Sequence, residues 1–130
     1  MTRSRTAKNG VLVLGGGFAG AYVARLLGRR GATIVSPENF MLYTPMLAEA
    51  ASGTLEPRHV VVPLRMMCPH AELLLGRAVG LDEASRTVAV ATDAGSFAVA
   101  YERRLSFGVR CPVLSCSTFD PCAAFVDLLP

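Results

Sequence analysis

The chain has 130 residues, of which 52% are hydrophobic and 18% are charged, and its formal net charge is +3. This length suits one domain with a buried core, and the composition excludes an intrinsically disordered chain. The sequence has no apolar run of membrane-spanning length and no signal-peptide pattern, and no aromatic residues interleave with the basic ones of its first ten positions. We therefore expect a cytoplasmic protein that does not bind nucleic acid.

The first ten residues are polar and include three basic side chains, Arg3, Arg5 and Lys8. Such a segment can act as an arm for nucleic acid or a membrane surface, or it can be a solvated start of the chain. The absence of aromatic partners favours the second alternative. We predict a disordered basic leader over residues 1–10.

A strand, a glycine-rich turn, a helix and a second strand follow the leader. Val11 to Leu14 are all apolar and predict a buried strand. From residue 18 the apolar residues change to helical spacing, and Gly31 stands where a C-terminal cap is expected. The residues that carry this spacing are Phe18, Tyr22, Val23, Leu26 and Leu27. Ala32 to Val35 then predict a second buried strand, so residues 11–35 form a compact βαβ unit.

The next segment is rich in proline and predicts short helices. Pro45 to Ala51 read as a single helix that ends before Gly53, and Val61 to Met67 read as a second one with an early proline. Glu72 to Leu75 predict a further strand. Three more β-type runs separated by turn formers predict an antiparallel meander over Ala78 to Leu81, Thr87 to Ala91 and Ser96 to Ala100. The expected fold class is α/β, with a Rossmann-type parallel sheet and an antiparallel meander.

The last part of the chain loses both helical and strand periodicity. Prolines at positions 112, 121 and 130 interrupt any regular element, and three of the four cysteines lie here. Cys111, Cys116 and Cys122 are separated by four and five residues, which matches no zinc pair, and no histidine is near. We predict an irregular tail over residues 104–130, a partial nucleotide-binding domain over 11–103, and no metal site.

The glycine run carries the clearest chemistry in the sequence. Gly15, Gly17 and Gly20 satisfy G-x-G-x-x-G between a buried strand and an amphipathic helix, which is the context that dinucleotide binding requires. The first glycine permits the tight turn, the second lets a pyrophosphate approach the backbone, and the third lets the helix pack closely. The acidic partner for the ribose is expected after the second strand, where the chain offers Ser36 and, two residues later, Glu38.

Three stretches together resemble the start of type II NADH dehydrogenases, flavoproteins that pass electrons from NADH to a quinone at the membrane surface. They are VLVLGGGFAGAYVARLL, the loop NFMLYTPMLAEAASGTLEPRHVVVPLR, and LLLGRAVGLDEASRTVAV followed by YER. The resemblance covers residues 11 to about 103 and implies that the βαβ unit binds FAD. It implies cofactor contacts from Gly15, Gly16, Gly17, Phe18, Ala19 and Gly20 to the pyrophosphate, Ser36 or Glu38 to the ribose, Pro45, Met46 and Leu47 to the flavin, and Val79 to the adenine.

The resemblance assigns the redox chemistry to the flavin, so no catalytic side chain is expected. His59 and His70 stand alone in the sequence, outside any catalytic constellation. Without the resemblance, Leu42, Tyr43, Met46 and Leu47 would read as core residues.

In the family an apolar strand, a second glycine-rich unit for NADH and a membrane-binding segment follow; none is recognisable here after the Tyr-Glu-Arg stretch. We therefore expect a truncated FAD-binding fragment without turnover of its own, with residues from about 104 read in a shifted frame. Membrane contact would belong to the full-length family. The alternatives are a noncatalytic dinucleotide-binding module paired with a separate chain that supplies the missing half, and a nonfunctional remnant.

Overall fold

The computed structural model describes residues 3–106 and 125–126. Its strands are β1 (Arg3–Thr6), β2 (Val11–Leu14), β3 (Ala32–Ser36), β4 (Phe40–Leu42), β5 (Val61–Pro63), β6 (Glu72–Leu75), β7 (Arg77–Asp82), β8 (Thr87–Thr92), β9 (Gly95–Ala100), β10 (Arg103–Ser106) and β11 (Phe125–Val126). Its α-helices are α1 (Phe18–Gly28), α2 (Leu47–Ala51) and α3 (Leu64–Met67), and short 3-10 helices occupy Lys8–Gly10, Thr44–Met46 and Pro57–Val60.

The central sheet has the order β11-β10-β2-β3-β6 and is parallel except for β11. All residues of β3 and all but the first of β2 are buried, which explains their uninterrupted apolar runs. Leu12 lies opposite Thr33, and Ile34 lies opposite Leu73. Helix α1 connects β2 to β3, as the βαβ pattern predicts. The α/β, Rossmann-type class and its parallel sheet are confirmed.

Strand β10 corrects the prediction that the chain is irregular from residue 104. It lies parallel to β2, with Arg103 opposite Val11 and Ser106 opposite Leu14. No residue of β10 is fully buried, so backbone pairing holds this strand without an apolar run, and Leu105 packs against the core beneath α1. The rest of the predicted tail, apart from β11, lies outside the described residues, as do Cys111, Cys116 and Cys122.

The predicted meander is confirmed as β7-β8-β9, all antiparallel, and β1 extends this sheet by pairing parallel to β9. The prediction of a disordered leader is therefore wrong for residues 3–10. Backbone pairing with β9 holds the segment, Ala7 is buried, and its N–H donates to the Ala100 carbonyl at 2.8 Å. The Arg5 guanidinium also contacts the Glu72 carboxylate at 2.5 Å, which joins β1 to β6.

The helix predicted from residue 18 is confirmed, but the face that it buries is not the one that carries the large apolar residues. Ala21 and Ala24 are fully buried against the sheet, whereas Phe18, Tyr22 and Leu26 are exposed. Small side chains let a helix lie close to a parallel sheet, so the alanines take the inner face. The large apolar residues then form an outward stripe.

The region after β3 is built from short elements. The predicted helix at Pro45 to Ala51 begins as a 3-10 turn and continues as α2. The predicted helix over Val61 to Met67 is wrong in its first half, because Val61–Pro63 form β5, which pairs with β4. A residue before proline is disfavoured in helical conformation, so Val62 stays extended and α3 begins only after Pro63.

Candidate functional site

A pocket of about 620 Å³ opens at the carboxyl ends of β2 and β3. This edge is where open α/β sheets bind ligands. The pocket is lined by Leu14, Gly15, Gly16, Gly17, Phe18, Val35, Ser36, Pro37, Glu38, Phe40, Met41, Leu42, Thr44, Gly76, Arg77 and Ala78. The glycine run and both candidates for the ribose contact thus face one space.

Each of the three consecutive glycines, Gly15 to Gly17, is required or tolerated for a different structural reason. Gly15 turns the chain with a φ of +102°, and its N–H donates to the Val35 carbonyl at 2.9 Å. A Cβ on Gly16 would lie 2.5 Å from Ser36 Oγ and 2.7 Å from Leu64 Cδ1, so this position is glycine because β3 and α3 pack against it. A Cβ on Gly17 would meet nothing within 4 Å. The protein itself leaves the space in front of Gly17 open.

The amino terminus of α1 faces this open space without a side-chain cap. Gly17 is the N-cap, no side chain caps the helix, and its first turn contains no acidic residue. The first backbone N–H groups of a helix have no intrahelical acceptor and carry the positive end of the helix dipole. An anion placed before Gly17 would accept hydrogen bonds from these groups. The geometry therefore fits a pyrophosphate.

Ser36 and Glu38 have different positions, although both line the pocket. The Ser36 side chain is buried beneath Gly16, and its hydroxyl accepts a hydrogen bond from the Glu38 N–H at 3.4 Å. Ser36 also accepts a backbone hydrogen bond from the Gly76 N–H. Glu38 is exposed in the bend that follows β3. The serine fixes the bend, and Glu38 is an exposed residue of the pocket lining.

The loop that the resemblance assigns to the flavin stands beside this pocket. Leu42 and Thr44 line it, whereas Pro45, Met46 and Leu47 do not. The interpretation of this loop as core is wrong, because the Thr44–Met46 turn and α2 contain no buried residue. Tyr43 packs edge-on against Phe18, with ring centroids 5.4 Å apart, so the loop is tied to the first residue of α1.

Three other predicted contact residues lie outside the pocket lining. Ala19 is exposed and Gly20 buried in the first turn of α1. Val79 lies at the bulge in β7, where the pairing with β8 shifts between Ala78 and Gly80. The neighbouring Gly76, Arg77 and Ala78 line the pocket instead of Val79.

Sequence reasoning missed Arg77, which brings a positive charge to the pocket. Gly76 joins β6 directly to β7, and a Cβ there would lie 2.6 Å from Val90 Cγ1 and 2.8 Å from the Ala91 carbonyl oxygen. This close crossing carries Arg77 to the edge that holds the glycine turn. The only signal in the sequence is a glycine between two strand-like runs, which does not reveal where the chain crosses between sheets.

Residues 3–106 and 125–126 contain no group of three or more His, Cys, Asp or Glu side chains that could hold a metal ion. Within the same residues, no helix is long and apolar enough to span a membrane.

The sheet order, the glycine turn and the pocket at its edge define a Rossmann-type α/β fold. Similarity to known proteins then narrows the class. No family model matches the chain. Over 64 residues, the chain is 38% identical to the external alternative NAD(P)H-ubiquinone oxidoreductase B3, mitochondrial, of Arabidopsis thaliana. This match covers 48% of the chain and 11% of that protein. The internal alternative NAD(P)H-ubiquinone oxidoreductase A1 of the same plant is 43% identical over 61 residues. The match covers 45% of this chain and 12% of that protein.

Solved structures share the fold. The NDH2 of Plasmodium falciparum superposes with a TM-score of 0.66 at 18% identity, over 80% of this chain and 22% of that one. The sulfide:quinone oxidoreductase of Aquifex aeolicus superposes with a TM-score of 0.60 at 22% identity, over 78% of this chain and 24% of that one. The Arabidopsis relatives confirm the resemblance to type II NADH dehydrogenases over nearly half of this chain. The chain spans only about a tenth of the length of the Arabidopsis proteins that it matches.

Proposed function

We propose that this chain binds FAD and corresponds to the FAD-binding part of a flavin-dependent NAD(P)H:quinone oxidoreductase. The observation that supports it best is the open space before Gly17, where a helix terminus presents unpaired N–H groups and no protein atom would meet a Cβ. The curated relatives carry the names of NAD(P)H-ubiquinone oxidoreductases. The names of these relatives support the reaction class in this proposal, and the pocket before Gly17 supports the nucleotide site.

The residues of the pocket take separate roles in this proposal. The N–H groups from Gly17 into the first turn of α1 hold the pyrophosphate, with Gly15 shaping the turn and Gly16 allowing β3 to pack beneath it. Glu38 accepts hydrogen bonds from the ribose hydroxyls, because its carboxylate is exposed at the pocket wall while the Ser36 hydroxyl already accepts the Glu38 N–H. Arg77 adds a positive charge beside the phosphates.

The loop of residues 42–47 completes the site on the flavin side. Leu42 and Thr44 line the pocket, and the Phe18–Tyr43 ring contact connects the loop to the phosphate-binding turn. Pro45, Met46 and Leu47 follow directly and lie on the surface beside it, with Met46 and Leu47 exposed. We propose that bound flavin covers these apolar side chains.

FAD, when bound, supplies electron transfer between a nicotinamide and a quinone, and this chain supplies position and electrostatics. The sequence contains no second G-x-G-x-x-G motif. We therefore propose that these residues alone bind flavin without oxidising NADH. Similarity to known proteins gives no support for a separate chain that supplies a missing half. The Arabidopsis relatives are named as mitochondrial proteins, and the cytoplasmic location predicted from the sequence stays a prediction.

The test is flavin retention by the purified chain. We expect FAD to bind with quenched flavin fluorescence and visible absorption that survives gel filtration, and ADP to compete with it because ADP shares the pyrophosphate. Gly17→Val should abolish binding, since its side chain fills the space that the pyrophosphate needs. Ala84→Val, in an exposed turn outside the pocket, is the control and should bind normally. Flavin retention by Gly17→Val equal to that of the unsubstituted chain would refute the site.

A further inference from the structure

A second pocket lies at the opposite edge of the parallel sheet. Its volume is about 620 Å³, and Lys8, Asn9, Arg29, Gly31, Pro69 and His70 line it. These residues belong to three segments that lead into the amino ends of neighbouring strands: the 3-10 turn before β2, the end of α1 before β3, and the turn before β6. The first pocket lies at the carboxyl ends of the same strands. The two are therefore distinct sites.

The second pocket is positively charged and contains no carboxylate. Lys8 and Arg29 carry full charges, and the His70 imidazole can donate a hydrogen bond. Neither cation forms an ion pair within residues 3–106 and 125–126. The carboxylate of Glu72, at the start of β6, is occupied by Arg5 and by the Thr33 hydroxyl. The charge of the pocket is thus not neutralised by the described protein.

The backbone beneath these charges is fixed by specific contacts. Asn9 adopts a left-handed conformation with a φ of +50°, and its Nδ2 donates to the Arg30 carbonyl at 2.5 Å. Gly31 has a φ of +80°, and a Cβ there would lie 2.5 Å from Asn9 Nδ2. The Lys8 N–H donates to Thr33 Oγ1 at 2.9 Å. The turn that carries Lys8 and the helix end that carries Arg29 are therefore held together.

We propose that this second pocket binds an organic phosphate. Phosphate is the anion that matches two separate cations and a hydrogen-bond donor, since it offers several strong acceptor oxygens. A pocket of this volume also falls in the range that small organic ligands occupy, about 300–1,000 Å³. The ligand is a soluble phosphate ester or the phosphate headgroup of a lipid. The proposal is independent of FAD binding, because it uses none of the residues of the first pocket.

Pyrophosphate is the probe for the soluble form, measured by calorimetry on Gly17→Val so that the first pocket does not contribute. Lys8→Gln with Arg29→Gln should weaken binding at least about tenfold, since two charged hydrogen bonds are lost. Arg65→Gln with Arg103→Gln removes the same charge from exposed positions outside the pocket and should change affinity less than about twofold. His70→Ala tests the third hydrogen-bond donor and should also weaken binding.

Vesicles distinguish the two sources of the phosphate. Sedimentation with phosphatidylcholine vesicles that contain phosphatidic acid, but not with phosphatidylcholine alone, would assign a lipid headgroup if the Lys8 and Arg29 variant fails to sediment. Binding of pyrophosphate without vesicle binding would assign a soluble ester. Equal losses in the pocket variant and the control variant would overturn the proposal, and so would the absence of binding to both probes. Circular dichroism of each variant establishes that it is folded.

Discussion

Gly16 and Gly17 are neighbours in sequence, and adding one methyl group to each should have opposite consequences. In Gly16→Ala the new Cβ would lie 2.5 Å from Ser36 Oγ, 2.7 Å from Leu64 Cδ1 and 2.9 Å from Ser36 Cβ. Ser36 and Leu64 are buried, and the Ser36 hydroxyl accepts the Glu38 N–H. Neither side chain can move away without disturbing β3 or α3. The methyl group therefore overpacks this contact.

Overpacking of this kind costs about 1–3 kcal/mol of the free energy of unfolding. For a domain of this size that corresponds to a fall in melting temperature of roughly 4–12 °C. Gly17→Ala has no such contact, and its φ of −75° suits any residue. The lower entropy of the unfolded chain stabilises it by about 0.4–1 kcal/mol, and alanine is a poorer N-cap than glycine by a similar amount. Its unfolding free energy should stay within about 0.5 kcal/mol of the unsubstituted chain.

Thermal and urea unfolding of the flavin-free protein measure both variants, and FAD titration follows. We expect Gly16→Ala to unfold earlier, and Gly17→Ala to unfold normally but bind FAD weakly, because its methyl group enters the space for the pyrophosphate. Melting of Gly16→Ala at the unsubstituted temperature would refute the packing argument. A large loss of stability in Gly17→Ala would show that the space before α1 is not open.

Two further predictions test burial elsewhere. Leu26→Lys should change the unfolding free energy by less than about 0.5 kcal/mol because Leu26 is exposed, whereas Ala24→Leu should lower it by about 1–3 kcal/mol because Ala24 is fully buried. Urea unfolding compares the two variants. A larger loss of unfolding free energy in Leu26→Lys than in Ala24→Leu would contradict the orientation of α1. Burial raises the pKa of the Cys68 thiol, and nearby Arg25 opposes the rise only in part. The folded state therefore favours the protonated thiol, a stabilisation that is present below the ordinary thiol pKa and lost as the pH rises beyond it. Alkylation of Cys68, followed by mass spectrometry of its peptide, should be slow at neutral pH and fast in urea; equal rates would contradict it.

Elements with a local pattern could be predicted from the sequence. The runs Val11 to Leu14 and Glu72 to Leu75 coincide with β2 and β6. The first is apolar throughout because β2 is buried, and the second contains three consecutive leucines, of which Leu74 is buried. Turn formers separate the meander strands as predicted. Strand β1 could not be predicted, because the polar run RSRT is ordered by backbone hydrogen bonds to β9, more than ninety residues away. Such long-range pairing leaves no periodicity in the sequence.

The candidate site was predictable where its residues are close in sequence. The glycine motif and Glu38 lie within one βαβ unit, and the structure places them around one pocket. Arg77 comes from a strand of the second sheet, and only the direct crossing at Gly76 brings it there. The second pocket is harder still, since Lys8, Arg29 and His70 come from three separate turns. An isolated basic residue in a turn predicts a solvated side chain, and only the fold shows that these three residues are neighbours.

Helix α1 connects the two pockets, and its dipole has opposite consequences at its two ends. At Gly17 the positive end is uncapped, so a bound anion gains from it. At Arg29 the negative end is already complemented by a cation, an interaction typically worth about 0.3–1 kcal/mol without any ligand. Arg29→Gln should therefore lower stability slightly even in phosphate-free buffer. Only the additional loss of stabilisation by added pyrophosphate reports on the second pocket, because the interaction between Arg29 and the helix dipole is present with and without the ligand.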